Sequence, residues 1–173
     1  AKARGSKAVI YDLRGNVGGS DSWPRKWIQS FLGTQNSIET SMLYAQKNSA
    51  LFAAENSESL LPEDEGTCFA REVHGTWYEN DIPIIVLVDD HCGSSGEGAV
   101  QLLKTLDNVL IVGSNTAGYQ LCGNISTFTL PYTGIGVRFG STLFLYGNGE
   151  NVDHRRYAPD VWCDPQDALA SVL

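Results

Sequence analysis

The chain has 173 residues, 42% of them apolar, and its 20 acidic and 12 basic side chains give a formal net charge of −8. This length corresponds to one domain, and burial of about 70% of the surface on folding allows a core without metals or disulfides. The acidic balance opposes binding to a phosphate backbone, which excludes nucleic acid as the main partner. No apolar run reaches the length of a membrane span, so we expect none in this chain.

The start of the chain and its cysteines add two expectations. The first residues lack the apolar core of a secretion signal and lead almost at once into a strand pattern, so we expect an N-terminally incomplete chain. The four cysteines are widely spaced without a Cys-x-x-Cys pair, which leaves disulfide pairing open and indicates no zinc knuckle. No group of His, Asp and Glu has ligand spacing, so we expect neither a metal nor an organic cofactor.

The first part of the chain predicts a strand, a glycine loop and a helix. The β-branched run at residues 7–13 is typical of a buried strand that ends in a glycine-rich loop. Residues 23–32 predict a helix, with Ser22 as its N-cap and Gly33 at its end. Residues 48–80 show no sustained period and predict an insertion, with one helix, in a single domain that spans residues 1–173.

The second half contains the clearest strand pattern. Residues 82–89 are apolar on both faces, as buried parallel strands are. They are followed by apolar residues at helical spacing, which predict a helix, and then by a second predicted buried strand at residues 109–113. A strand, helix, strand crossover implies parallel pairing and an α/β layer structure. A short helix is predicted after Pro165. Three alternating segments predict a small β-meander: residues 125–130, 136–139 and 142–146.

Ser94 lies in a glycine-flanked turn between the predicted buried strand and the helix that follows it. Unpaired N–H groups and the positive end of the helix dipole at such a turn stabilise an oxyanion. The alternative is that Ser94 or Ser95 only caps the helix, with Glu97 as the capping-box partner of Ser94. This window alone favours the capping role.

A second candidate is the glycine bend at residues 15–19, directly after the first predicted strand. Gly18 and Gly19 can adopt positive φ and turn an N–H group outward, which an oxyanion hole requires. The alternative is an ordinary strand-to-helix turn, which a lone glycine pair favours. Asp12 and Arg14 precede the bend, and we expect them to pair and brace a loop because unpaired charges at a strand end are costly.

Four sequence blocks occur in one order and cover most of the chain outside the predicted insertion. They are residues 9–19 with Asp-Leu-Arg-Gly-Asn-Val-Gly-Gly, residues 84–97 with the serine turn and its Glu, residues 112–118, and residues 158–161. Together they resemble the family of tail-specific processing and tricorn-core serine peptidases. The resemblance implies a ClpP/crotonase-like α/β core with parallel strands and crossover helices.

The same resemblance implies a catalytic mechanism on named residues. The nucleophile of the family lies three residues before the Glu, which selects Ser94 for attack on a peptide bond and formation of an acyl-enzyme. The N–H group of Ser95 and that of Gly18 or Gly19 would form the oxyanion hole, and one such donor contributes about 3 kcal/mol to transition-state stabilisation.

The family divides by its general base. The processing branch has a lysine after its Thr-x-Gly segment, whereas this chain has Tyr119 there and therefore lacks the Ser–Lys dyad. The tricorn-like branch uses a histidine oriented by an acid that corresponds to Asp153, with Glu150 as the fallback and a solvated loop acid as the alternative. That histidine lies upstream of the first block, and His91 and His154 are only outside candidates. We therefore expect a missing segment or a partner chain to supply the base, and the chain alone to lack activity.

The resemblance also implies a peptide or protein substrate, an extracytoplasmic or secreted location, and either a homo-oligomer or a missing N-terminal segment as the source of the histidine. A second hypothesis is a non-catalytic relative that binds a peptide or an apolar ligand on the same fold. A third is an acyl-CoA enzyme of the crotonase type, which would need a basic surface that the sequence lacks.

Overall fold

A computed structural model of the chain describes residues 3–47, 66–151 and 153–173. The chain forms two compact units from segments that alternate along the sequence. The first unit comprises Ala1–Ser41, His74–Gln120 and Val152–Leu173, and the second comprises Met42–Val73 and Leu121–Asn151. Each unit contains one four-stranded sheet.

Eight strands and two α-helices are described. In chain order the elements are β1 (Val9–Asp12), α1 (Ser22–Leu32), β2 (Met42–Lys47), β3 (Cys68–Val73), β4 (Ile84–Val88), α2 (Ser95–Leu103), β5 (Val109–Gly113), β6 (Cys122–Thr129), β7 (Gly136–Tyr146) and β8 (Val161–Trp162). Short 3-10 turns lie at Ala3–Gly5 and Ala170–Val172, so the predicted terminal helix is a single such turn. Among the described residues, no helix is both long and apolar enough to cross a membrane.

The sheet of the first unit has the order β1-β4-β5-β8, and all of its pairings are parallel. The three strands predicted at residues 7–13, 82–89 and 109–113 are therefore confirmed, as is the parallel crossover through α2. Because the carboxyl ends of parallel strands share one edge of the sheet, the loops after β1, β4 and β5 leave from the same edge. This edge is where the sequence places its candidate residues.

Both faces of this sheet are covered. Helix α1 buries Ile28 and Phe31, and together with α2 it packs on the face that carries Val86 and Val88 of β4. The opposite face holds a smaller cluster in which the C-terminal segment contributes Ala168. Because full burial of one such aliphatic side chain contributes about 1.5–3 kcal/mol, β4 and α2 are the most firmly held elements near the candidate site.

The sequence predicts the C-terminal end of α1 correctly and its N-cap incorrectly. Gly33 adopts the left-handed conformation with φ 68° and donates its N–H to Gln29, which confirms the predicted C-terminal stop. The prediction of Ser22 as the N-cap is wrong, because Ser22 is already helical and Asp21 occupies the cap position. The hydroxyl of Ser20 accepts the N–H of Ser22 instead.

The sheet of the second unit is antiparallel, with the order β3-β2-β7-β6. The predicted meander is part of this sheet, but its second and third segments form one strand, β7, that continues through Gly140. Gly140 pairs with Ile125, and a Cβ there would lie 2.8 Å from the Cβ of Cys122, so this glycine serves close strand packing and not a turn. The sequence did not predict β2. Strand β3 lies in the predicted insertion, whose predicted helix falls outside the described residues.

Candidate active site

The loops that follow β1 and β4 are joined by direct hydrogen bonds. The N–H of Gly15 donates to both carboxylate oxygens of Asp89, at 3.0 and 2.9 Å. In return, the N–H of Gly93 donates to the carbonyl of Asn16 at 3.0 Å. The glycine bend and the serine turn, which lie more than 70 residues apart in the sequence, therefore form one structural element.

Ser94 has a strained backbone at the N-terminus of α2. Its φ of 52° and ψ of −122° lie in a region that non-glycine residues rarely adopt, at a cost of about 1–3 kcal/mol. Its hydroxyl makes no cap hydrogen bond and none to any other described residue. The alternative in which the Ser94 side chain caps the helix is therefore wrong.

The glycine bend contacts Ser94 directly. Gly18 and Gly19 have φ values of 129° and 144°, and a Cβ added at Gly18 would lie 2.8 Å from the Cβ and 3.2 Å from the Oγ of Ser94. The N–H of Gly18 donates to Oδ1 of Asn16 at 3.0 Å, whereas that of Gly19 makes no hydrogen bond with the described residues. The structure thus brings the two predicted groups together and leaves the Gly19 amide available.

Glu97 does not have the capping-box role that the sequence predicts. Only 1% of its surface is exposed, and its carboxylate accepts three hydrogen bonds. Oε1 accepts the Thr116 hydroxyl at 2.7 Å and the Gly118 N–H at 2.9 Å, and Oε2 accepts the Tyr119 N–H at 3.0 Å. Glu97 therefore ties α2 to the segment at residues 116–119, and the predicted capping box with Ser94 does not form.

Asp153 lies in a segment that continues this network. The N–H of His154 donates to the carbonyl of Gly118 at 2.8 Å, and the hydroxyl of Thr116 accepts the N–H of Tyr157 at 2.7 Å. Asp153 is partly buried within the first unit, whereas Glu150, the fallback acid, belongs to the second unit. No hydrogen bond joins Asp153 to the hydroxyl of Ser94 among the described residues.

His91 is the other histidine near the serine turn. Its side chain is 71% exposed and its Nδ1 lies 2.8 Å from a carboxylate oxygen of Asp90. Together with Asp89 these residues place one donor atom each within 4.8 Å of one another, which is the one group able to hold a metal in the part of the chain described. Since Asp89 already accepts the N–H groups of Gly15 and His91, its evident role is to join the two loops.

Cys92 and Arg14 complete the surroundings of the turn. Burial, with smaller contributions from the charges of Glu97 and Asp89, raises the pKa of the Cys92 thiol to about 12, so the thiol stays protonated and a poor nucleophile. Each of the four cysteines lies in the described part of the chain and is free. Arg14 pairs with Asp12 through two hydrogen bonds and donates to the carbonyl of Pro165 at 2.6 Å, as the predicted brace requires.

Tyr119 ends the segment that Glu97 holds, and its N–H donates to that carboxylate. Its side chain packs against Gly93, because a Cβ added at Gly93 would overlap the tip of the phenol ring. Tyr119 as a whole is 46% exposed. An aromatic surface thus lies beside the residue that precedes Ser94.

The sequence profile of peptidase family S41 matches residues 1–162, which confirms the resemblance found in the sequence. A search of curated proteins finds no match.

Solved structures share the fold at low sequence identity. A Parabacteroides merdae protein provisionally named a peptidase has 24% identity and a TM-score of 0.56, over 91% of this chain and 45% of that one. A Streptococcus agalactiae lipoprotein has 22% identity and a TM-score of 0.54, over 96% and 53%. The photosystem II D1 C-terminal processing protease has 18% identity and a TM-score of 0.58, over 99% and 40%. The chain spans about half or less of these proteins, and the profile match establishes that it belongs to peptidase family S41.

Proposed function

We propose that this chain is the catalytic-core portion of a serine peptidase in which Ser94 is the nucleophile. The observation that carries the proposal is the contact between the strained Ser94 and the glycine bend at Gly18. Strain of this kind persists only where the surrounding structure enforces it, and it concentrates at active sites. Membership of peptidase family S41 supports a peptide or protein as the substrate.

In the proposed reaction, Ser94 Oγ attacks the scissile carbonyl as a base removes its proton. The tetrahedral oxyanion is held by the N–H groups of Gly19 and Ser95. The first is without a hydrogen bond among the described residues, and the second begins α2, where the helix dipole is positive. The amine product leaves with the proton from the base, and water then hydrolyses the acyl ester on Ser94. Because each donor contributes about 3 kcal/mol, the two amides account for much of the rate enhancement.

We infer that the general base is a histidine oriented by Asp153 and contributed by a further segment or a partner subunit. Tyr119 replaces the lysine of the processing branch, and neither His91 nor His154 hydrogen-bonds the Ser94 hydroxyl. Asp153 is held beside Gly118 through the backbone of its neighbour His154, so its segment is fixed relative to α2. A serine without a base is a weak nucleophile, and the histidine would therefore be required for turnover.

One observation favours a second candidate, a non-catalytic relative that binds a peptide at the same place. No base hydrogen-bonds the Ser94 hydroxyl among the described residues, as would hold for a binding protein that kept the fold and lost the chemistry. The two candidates differ in whether Ser94 forms a covalent adduct.

The test uses the full-length protein and a fluorophosphonate probe. We expect labelling of the wild type, its complete loss in Ser94→Ala, and a fall in cleavage of a fluorogenic peptide library by at least about 10³-fold. Ser95→Ala is the matched control, because this residue contributes its N–H and not its hydroxyl, and we expect it to be labelled. A folded wild type that binds peptides without labelling or cleavage would establish the binding protein instead.

A further inference from the structure

Tyr119 lies beside the Ser94 turn, and the proposed mechanism does not use its side chain. We propose that its ring forms a wall of the substrate pocket and selects substrates with an apolar side chain next to the scissile bond. The inference rests on the proposed function of Ser94 and names a substrate class for it.

One contact places the ring beside the Ser94 turn, and a second places the glycine bend there. The tip of the Tyr119 phenol packs against Gly93, which precedes Ser94 and has no room for a side chain on that side. The carbonyl oxygen of Gly93 lies 3.5 Å from the position of a Cβ on Gly18. The peptide that leads into Ser94 therefore has both the glycine bend and the ring of Tyr119 as close neighbours.

The backbone of Tyr119 is fixed relative to Ser94. Its N–H donates to Glu97, and the preceding residue, Gly118, donates to the other oxygen of the same carboxylate. Glu97 lies in the first turn of α2, the helix that begins directly after Ser94. A wall held in this way selects a substrate without losing conformational freedom on binding, which is the advantage of a preorganised pocket.

The exposure of the ring indicates the chemistry that it recognises. Tyr119 is 46% exposed, although its backbone N–H is bound to a buried carboxylate. An exposed aromatic surface gains most by burying an apolar or aromatic side chain against it. Each methylene of such a side chain changes kcat/KM by about 10- to 200-fold.

The test compares peptides in the full-length protein. One panel varies the residue on either side of the cleaved bond between Leu or Phe and Ala or Gly. We expect wild type to prefer the apolar residues at one of the two positions, and Tyr119→Ala to reduce that preference about 10-fold or more by lowering kcat/KM for the large side chains only. Tyr119→Phe keeps the ring and should keep the preference. Tyr132→Ala removes a fully exposed tyrosine elsewhere and serves as the matched control.

The outcomes separate this inference from the proposed function. A small fluorophosphonate without a side chain should label Tyr119→Ala at the wild-type rate, which also shows that the variant folds. Normal labelling with an unchanged preference would overturn the role of Tyr119 and leave Ser94 in place. An equal loss of kcat for all peptides in Tyr119→Phe would show that the hydroxyl acts and not the ring, which also overturns the inference. Absence of labelling in wild type would instead remove the proposed function.

Discussion

The loops after β1 and β4 leave adjacent parallel strands at the same edge of the sheet, yet they reach unusual backbone conformations in different ways. The first uses glycine, with φ of 129° at Gly18 and 144° at Gly19, where the absence of a Cβ makes positive φ inexpensive. The second places Ser94 at φ 52° and accepts the strain. Where the useful group is a backbone amide, glycine suffices. Where it is a hydroxyl, the strain cannot be relieved without losing the side chain.

Each loop also helps to hold the other. Asp89, from the loop after β4, receives the N–H of Gly15, and Asn16, from the loop after β1, receives the N–H of Gly93. A third segment also holds the strained turn, because the carbonyl of Cys92 accepts the N–H of Ala117 at 2.9 Å. Hydrogen bonds from the glycine bend and from Ala117 therefore hold the turn in the strained Ser94 conformation. Changes in either loop should affect the other.

The largest effect that separates the two loops should come from Gly18→Ala. The new Cβ would have to lie 2.8 Å from the Cβ of Ser94 at a φ of 129°, so it would both strain the bend and displace Ser94. We expect a loss of about 2 kcal/mol in the free energy of unfolding and at least about 100-fold slower fluorophosphonate labelling.

Gly15→Ala is the matched control for this prediction. Gly15 also has positive φ, at 70°, but a Cβ there meets nothing within 4 Å. It should therefore cost about 1 kcal/mol of strain and leave labelling near the wild-type rate. If both variants were labelled equally fast, the close approach of the bend to Ser94 would have no consequence for reactivity.

The sequence could predict the elements whose signal is local. Residues 82–89 are apolar on both faces, and a short run of this kind is typical of a strand buried in a parallel sheet. Gly140 shows the limit of the same reasoning, because a glycine between two alternating segments predicts a turn. In the structure this glycine instead allows a close approach to Cys122 on the neighbouring strand. That approach depends on a pairing that no local pattern contains.

In the candidate site, too, the sequence predicts what local patterns determine and misses what depends on contacts distant in sequence. The resemblance selected Ser94 and the glycine pair as candidates, but local spacing assigned Glu97 to a capping box, since Ser-x-x-Glu before an apolar run is the usual signature. Three donors at residues 116–119 compete for this carboxylate, and they lie 19 to 22 residues away in the sequence. The choice between Gly18 and Gly19 likewise depends on the Asn16 side chain, whose orientation only the fold determines.

A smaller effect should appear in Ser94→Gly. Removing the Cβ relieves the strain of the turn, which outweighs the greater freedom of glycine in the unfolded chain, so we expect a gain of about 1 kcal/mol over Ser94→Ala. Urea unfolding of the two variants measures the difference in stability directly. If Ser94→Ala were the more stable of the two, the backbone at position 94 would carry no strain, and the contrast between the loops would fail.

The smallest expected effect is on stability and comes from the Asp12–Arg14 pair, which precedes the glycine bend. The hydrogen bond from the Arg14 side chain is the main cause that lowers the pKa of Asp12 below its ordinary value of 3.8. Because the folded state then holds this proton less tightly than the unfolded state, the pair stabilises the fold above about pH 3.8. That contribution is lost as the pH falls through the lower folded value. The Asp12 side chain is 46% exposed, so solvent screening limits the contribution to less than about 1 kcal/mol.

A double-mutant cycle of Asp12→Asn and Arg14→Gln measures this coupling, since Arg14 also donates to Pro165 and its single variant loses more than the pair. We expect the coupling energy at pH 6 to disappear as the pH is lowered below 3.8, while the loss from the Pro165 contact persists. The two loops are joined through Asp89 and through the carbonyl of Asn16, and not through Asp12, so labelling of Ser94 at neutral pH should change little in Asp12→Asn. A large fall in labelling would mean that the Asp12–Arg14 pair, and not the Asp89 carboxylate, positions the glycine bend against Ser94.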